Sequence, residues 1–313
     1  GGLLGGVFAT WMGGQRPLGR EGWRVALSLV GAVSIATGLL ISAFASEPHA
    51  VAQLKREAAS LAHIGKVILS VLRIRTFQFV VLQGVAGTMP WSAMVFFTYW
   101  FQLLGFSDSV AATMYACFGM GGALGQYLGG YLGDMAAARS PDSGRIYVAQ
   151  TSVALGIPMS YWLLQWVPAV DPDGPFPVGV ALAMFCFGGS TSWCLSGCNS
   201  PIFSEIVAEE HRSVIFAFDR SFEGALGALA LPLVGLVAES VFGFVGPEEG
   251  GAGGGAGTKD RANGLALGNA MALCIVVPWS LCLVLYSALH WVYKHDRARV
   301  SRESLPAYSC KGG

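Results

Sequence analysis

Glu205, Asp219, Arg220 and Glu223 form a small group of charges in a chain that otherwise keeps charge out of its long apolar segments. Asp219 and Glu223 are four residues apart and share a helix face, and Arg220 is three residues from Glu223. Two acids and a base at that spacing form ion pairs. Such a cluster can hold in one conformation and part in another, which is the chemistry of a gate. At 1.5 Å per residue Asp219 stands about 9 Å past Ser213. The group is therefore expected near the end of its apolar segment, with no acid at mid-depth. The competing reading is a set of charges that only anchors a helix end.

Two further stretches carry polar groups of another kind. One holds Gln83, Gly84, Gly87, Pro90 and Trp91; the other holds Ser190, Thr191, Ser192, Trp193, Ser196 and Asn199 after Gly188-Gly189. Glycine and proline loosen a helix, and hydroxyl and amide groups offer hydrogen bonds to a polar solute. Close helix packing through small residues produces the same composition. Gln150 and Asn269 fit that packing role better. His49, His63, His211, His290 and His295 stand apart from any nucleophile or acid, so no catalytic grouping is visible and no enzyme is expected. Cys194 and Cys198 are four apart but have no His, Asp or Glu within four residues, so neither a metal nor a cofactor is expected.

The elements that must position these groups follow from composition. Of 313 residues 53% are hydrophobic and only 12% charged, with a mean hydropathy of +0.55. Soluble chains carry about 25% charged residues, so lipid is the expected solvent for much of this surface. Net charge is zero, which gives no bias toward nucleic acid. A bilayer crossing needs about 20 apolar residues. Seven runs qualify: 25–45, 76–104, 110–132, 146–167, 177–207, 214–242 and 265–293, and an eighth, 1–14, is incomplete. These runs are apolar nearly all round, so helical periodicity is not diagnostic.

A basic linker, 46–75, carries Leu54, Leu61, Ile64, Ile68 and Leu72 at three- and four-residue spacing, the pattern of an amphipathic helix lying on a membrane face. The glycine-rich stretch 243–263 reads as a flexible loop. Lys and Arg divide fourteen to five between the two sides of the membrane, which makes the side bearing the C-terminus cytoplasmic.

Two motifs then carry a resemblance. Gly130-Tyr131-Leu132-Gly133-Asp134, followed by Arg139 and Gly144-Arg145, is similar to the loop signature of the major facilitator superfamily, with Met135 where a basic residue is usual. Asn199-Ser200-Pro201-Ile202-Phe203-Ser204-Glu205, then Asp219-Arg220-Ser221-Phe222-Glu223-Gly224, is similar to poorly characterised plant and algal members. The resemblance implies an all-α polytopic bundle truncated at the N-terminus. Residues 1–45 would be the last two helices of a first half and 46–75 the cytoplasmic linker. Residues 76–293 would be a six-helix second half and 294–313 a cytoplasmic tail.

On that reading the protein is a secondary carrier of a small solute. The alternative is a non-transporting membrane sensor or scaffold. Gln83, Gly87, Pro90, Trp91, Ser190, Thr191, Trp193, Ser196 and Asn199 would line the cavity on the seventh and tenth helices. Asp134 and Arg145 would join Glu205, Asp219, Arg220 and Glu223 as a cytoplasmic gate. The implied partners are the lipid bilayer, the solute, any coupling proton or ion, and the missing N-terminal helices. Those helices would complete the cavity and house a proton carrier, so residues 1–313 alone are expected not to transport.

Overall fold

A computed structural model describes residues 22–44, 65, 68–169, 171, 173–207, 212–246 and 256–304. The run 1–14, nearly all of the expected amphipathic linker helix and the end of the tail lie outside them. The described residues are helical and contain no strand. In chain order the helices are α1 (Gly22–Phe44), α2 (Arg75–Met94), α3 (Phe97–Leu103), α4 (Asp108–Arg139), α5 (Gly144–Trp166), α6 (Val178–Thr191), α7 (Ser200–Ile206), α8 (Arg212–Ser240) and α9 (Ala256–Ser304).

Five helical stretches are long and apolar enough to cross a membrane: 27–44, 75–103, 178–206, 212–240 and 260–299. The expected spans at 110–132 and 146–167 are helices of sufficient length, α4 and α5, but do not reach the same hydropathy. Glycines, hydroxyls and amides dilute their apolar content. The outer surface is nonetheless rich in large apolar groups, among them Leu182, Leu229, Val284 and Trp291, as lipid-facing helices require.

α4 against α6 is the most extensive pairing, followed by α2 against α9. The first pairing rests on a glycine stripe. A Cβ on Gly121 would stand 2.0 Å from the Phe185 carbonyl oxygen, one on Gly125 2.3 Å from that of Gly189, and one on Gly133 2.4 Å from that of Gly197. Backbone touches backbone along four turns of α4, so packing and not side-chain burial joins the helices. Gly129 in the same stripe lies against Trp193.

Aromatic rings fill the space beside this seam. Phe97, Trp100 and Phe187 are fully buried. Phe118 and Phe187 stack at 5.6 Å, and Phe97 meets Phe187 edge-on at 6.3 Å.

Several boundaries depart from the sequence reading. The run 76–104 breaks at Val95-Phe96, one turn after Pro90. The run 177–207 is three pieces, α6, a π-helical turn at Leu195–Asn199, and α7. The Gly-Tyr-Leu-Gly-Asp signature is not a loop: α4 continues to Arg139, because the stripe that packs its earlier turns also packs Gly133. The stretch 243–263 is helical from Ala256. Asn263 both accepts from the Val245 N–H (3.0 Å) and donates to its carbonyl (2.8 Å), clamping the two ends of the connection.

The glycine stripe yields a contrast. Gly125→Val forces backbone apart and is expected to cost about 1–3 kcal/mol or prevent assembly. Gly235→Ala, where nothing lies within 4 Å of the added methyl, should not lower the melting temperature and should raise it slightly, since Ala favours the helix interior over Gly by about 1 kcal/mol. Thermal melts of the purified variants in detergent measure both.

Candidate functional site

α2, α4, α5, α6, the π-helical turn, α8 and α9 line an open cavity of about 270 Å³. Their sequences explain the opening. Gly84 and Gly87 on α2 have no side chain to fill it, and the π-helical turn swings Leu195 and Asn199 toward it. π-Helical turns recur at functional sites because the extra residue shifts the helical register.

Five of the nine cavity candidates line this space: Gln83, Gly87, Trp91, Thr191 and Asn199. The other four do not. Pro90 is buried within α2. Ser190 donates to the Phe187 carbonyl and to the Met159 sulfur, facing α5. Trp193 donates its indole N–H to the Gly189 carbonyl at 2.6 Å and packs on Gly129. Ser196 donates to the Gln126 carbonyl on α4. These residues join helices.

The charges do not form one group. Glu205 belongs to a network at the end of the bundle where α4, α7 and α9 finish and α5 and α8 begin. There Arg145 pairs with Asp134 at 2.9 Å and lies 3.5 Å from Glu205. Arg297 pairs with Glu205 at 3.0 Å and lies 3.4 Å from Asp142. Tyr293 donates its hydroxyl to the same Glu205 oxygen that Arg297 meets. At this end Asp296 also accepts from the Thr76 backbone N–H (2.9 Å) and hydroxyl (2.8 Å), tying the start of α2 to the end of α9. Helices α4, α5, α7 and α9 are thus pinned together by one set of ion pairs.

Asp219, Arg220 and Glu223 stand elsewhere. Arg220 bridges Asp219 at 3.0 Å and Glu223 at 3.1 Å, and Arg220 and Glu223 line the cavity. Glu223 is 11 residues past Arg212, about 16 Å along the helix, one turn beyond Asp219. The packing that admits it is local. The Glu223 carboxylate occupies the place where a Cβ on Gly84 would be, 1.6 Å from its Oε1. One turn along the same seam Ser92 donates to the Gly227 carbonyl at 2.9 Å.

α9 supplies a wall that the sequence reading missed: Trp279, Cys282 and Tyr286. Their spacing of three and four, continued by Tyr293, was a visible signal, a polar and aromatic face on an otherwise aliphatic helix. Tyr286 donates to the Asn199 side-chain oxygen at 2.9 Å, joining α9 to the π-helical turn across the cavity. Gln150 donates to Ser287 (2.9 Å), and Gln165 to Asn269 (3.1 Å), so the amides within the spans fasten α5 to α9.

Breaking the end network has a defined cost. Arg145→Leu leaves Asp134 without its cation and Glu205 with Arg297 and the Tyr293 hydroxyl; with Asp134 74% exposed, such a pair contributes about 1 kcal/mol. The variant should melt a few degrees below the parent. Arg139→Leu, at the same end but in none of these pairs, should not.

The family model of the major facilitator superfamily matches residues 1–244. No curated protein sequence matches the chain. With the family match covering most of its length, and with spanning helices lining an open cavity that polar side chains enter, the chain belongs to the major facilitator superfamily, a family of membrane transporters.

Proposed function

We propose that the protein is a secondary transporter that carries a small solute by alternating access through the cavity at Gln83, Gly87, Trp91, Thr191 and Asn199. The observation that carries this reading is a space between the helices that several polar side chains enter, bordered by a π-helical break. Interrupted helices at the bilayer midplane are where carriers bind their cargo. The sensor or scaffold alternative gains no support from any feature of the site.

The Asp134–Arg145–Glu205–Arg297 network is the gate in this reading. It crosses between helix ends at one face, and parting it would open that face to the cavity. Positive charge is concentrated on this side, which supports a cytoplasmic gate and a cytoplasmic C-terminus. The division into 1–45, 46–75, 76–293 and 294–313 is part of the same proposal. So is a facing wall built by further helices. In its support, α1 buries none of its apolar window 27–44 against the described residues. A coupling proton, in this reading, has a carrier within this chain, the Glu223 carboxylate.

Gln126 lines the cavity and is exposed, which makes it a reporter. Gln126→Cys in sealed vesicles should react with a membrane-impermeant maleimide from either face, above the background of the native cysteines. Arg145→Ala should raise labelling from the charged face about fivefold or more, the scale of a typical coupling energy. Labelling from one face only, unchanged by Arg145→Ala, counts against alternating access.

A further inference from the structure

The cavity carries an unbalanced charge. One guanidinium, Arg220, is shared by two carboxylates, Asp219 and Glu223, and no other charged side chain among the described residues lines the space. Asp219 is fully buried, its Oδ1 has no hydrogen-bond partner, and the Glu223 side chain is 7% exposed. Arg220 meets Glu223 through Oε2. No donor among the described residues meets Oε1, which lies over Gly84 at the cavity wall. With both carboxylates ionised the trio carries one net negative charge beside the cavity, and an uncompensated charge away from water is costly. The Glu223 side chain is more than nine-tenths buried, and its Oε1 at the cavity wall is a place for a cation.

The remaining lining points the same way. The hydroxyl protons of Thr88, Thr191, Ser192 and Tyr286 are committed, to the Gly84, Phe187 and Gly188 carbonyls and to Asn199 respectively. Their oxygens are left as acceptors. Trp91 and Trp279 add aromatic faces to the same wall, and aromatic faces attract organic cations. A bare metal ion is disfavoured: the described residues hold no group of three or more His, Cys, Asp and Glu side chains that could bind one. A volume of about 270 Å³ suits a small organic molecule.

Building on the transporter reading, we infer that the cargo is a small organic ammonium ion, with the Glu223 carboxylate as its counter-ion and Trp91 and Trp279 as its aromatic walls. The ammonium N–H groups meet Glu223 Oε1 and the hydroxyl oxygens. Its charge neutralises the excess that Arg220 leaves.

Three molecules of one shape test this in detergent solution: phenethylamine, 2-phenylethanol and phenylacetate, which near neutral pH are a cation, a neutral molecule and an anion. Phenethylamine should raise the melting temperature of the full chain in a concentration-dependent way, and the other two should not. Glu223→Gln should weaken its apparent Kd by about tenfold or more, the worth of a charge-assisted contact. Glu239→Gln, an exposed acid further along α8, should leave it unchanged. Gly84→Ala displaces the carboxylate without removing it and should also weaken binding; with the wild-type ranking it decides the matter if Glu223→Gln does not fold.

The inference is overturned if the alcohol stabilises as well as the amine, or if the carboxylate is preferred, which would make Arg220 the recognition group. It is also overturned if sodium chloride at equal ionic strength reproduces the shift, or if Glu223→Gln folds and binds undiminished. Labelling of Gln126→Cys in sealed vesicles, read beside phenethylamine binding, separates the two readings. Ammonium-specific binding with labelling from one face only, unchanged by Arg145→Ala, would sink the transporter reading and leave the site. Labelling from both faces without ammonium-specific binding would sink the site and leave the transporter.

Discussion

Direct backbone contact between α4 and α6 is the constraint on which the rest of this structure depends. In lipid, two apolar helices gain little by hiding side chains from a solvent as apolar as themselves. Gly121, Gly125, Gly129 and Gly133 remove the side chains altogether and let carbonyl oxygens come within van der Waals reach. That contact holds the π-helical turn against α4, since Gly197 sits on the Gly129 carbonyl. The turn in turn presents Asn199 to Tyr286. A stripe of missing side chains on one helix thus determines where the polar wall of the cavity stands.

Charge is distributed by a second rule. Most of the charged groups among the described residues collect at the helix ends, where water and facing ions satisfy them. Arg145 and Arg297 share Glu205 there. Asp219, Arg220 and Glu223 depart from the rule together, and Gly84 is what lets them: without a Cβ on α2 the Glu223 carboxylate fits against the neighbouring helix. Small residues therefore do two jobs, closing one helix pair and making room for a buried acid in another.

The lipid-facing character of the chain was readable because it depends on composition summed over about 20 residues; the segment count was not, since among the described residues five of the seven full runs are long and apolar enough to span. The polar candidates were half readable. Gln83, Thr191 and Asn199 reach the cavity, whereas Ser190, Trp193 and Ser196 turn to neighbouring backbones. Composition is alike for the two sets, because a hydroxyl that binds a solute and one that fastens a helix have the same chemistry. Rotation about the helix axis separates them, and in a helix apolar on all sides no periodicity reports that rotation.

The amino-acid sequence by itself determined that this chain lives in lipid and where its longest apolar stretches fall. It did so because transfer of a residue to hydrocarbon is a local property that adds along the chain. Tertiary structure alone decided that Glu205 pairs at the helix ends while Glu223 lies beside a cavity, and that Trp279 and Tyr286 complete its wall. Those outcomes turn on which faces meet across residues far apart in sequence. Gly84 and Glu223 share one site only because α2 and α8 pack side by side.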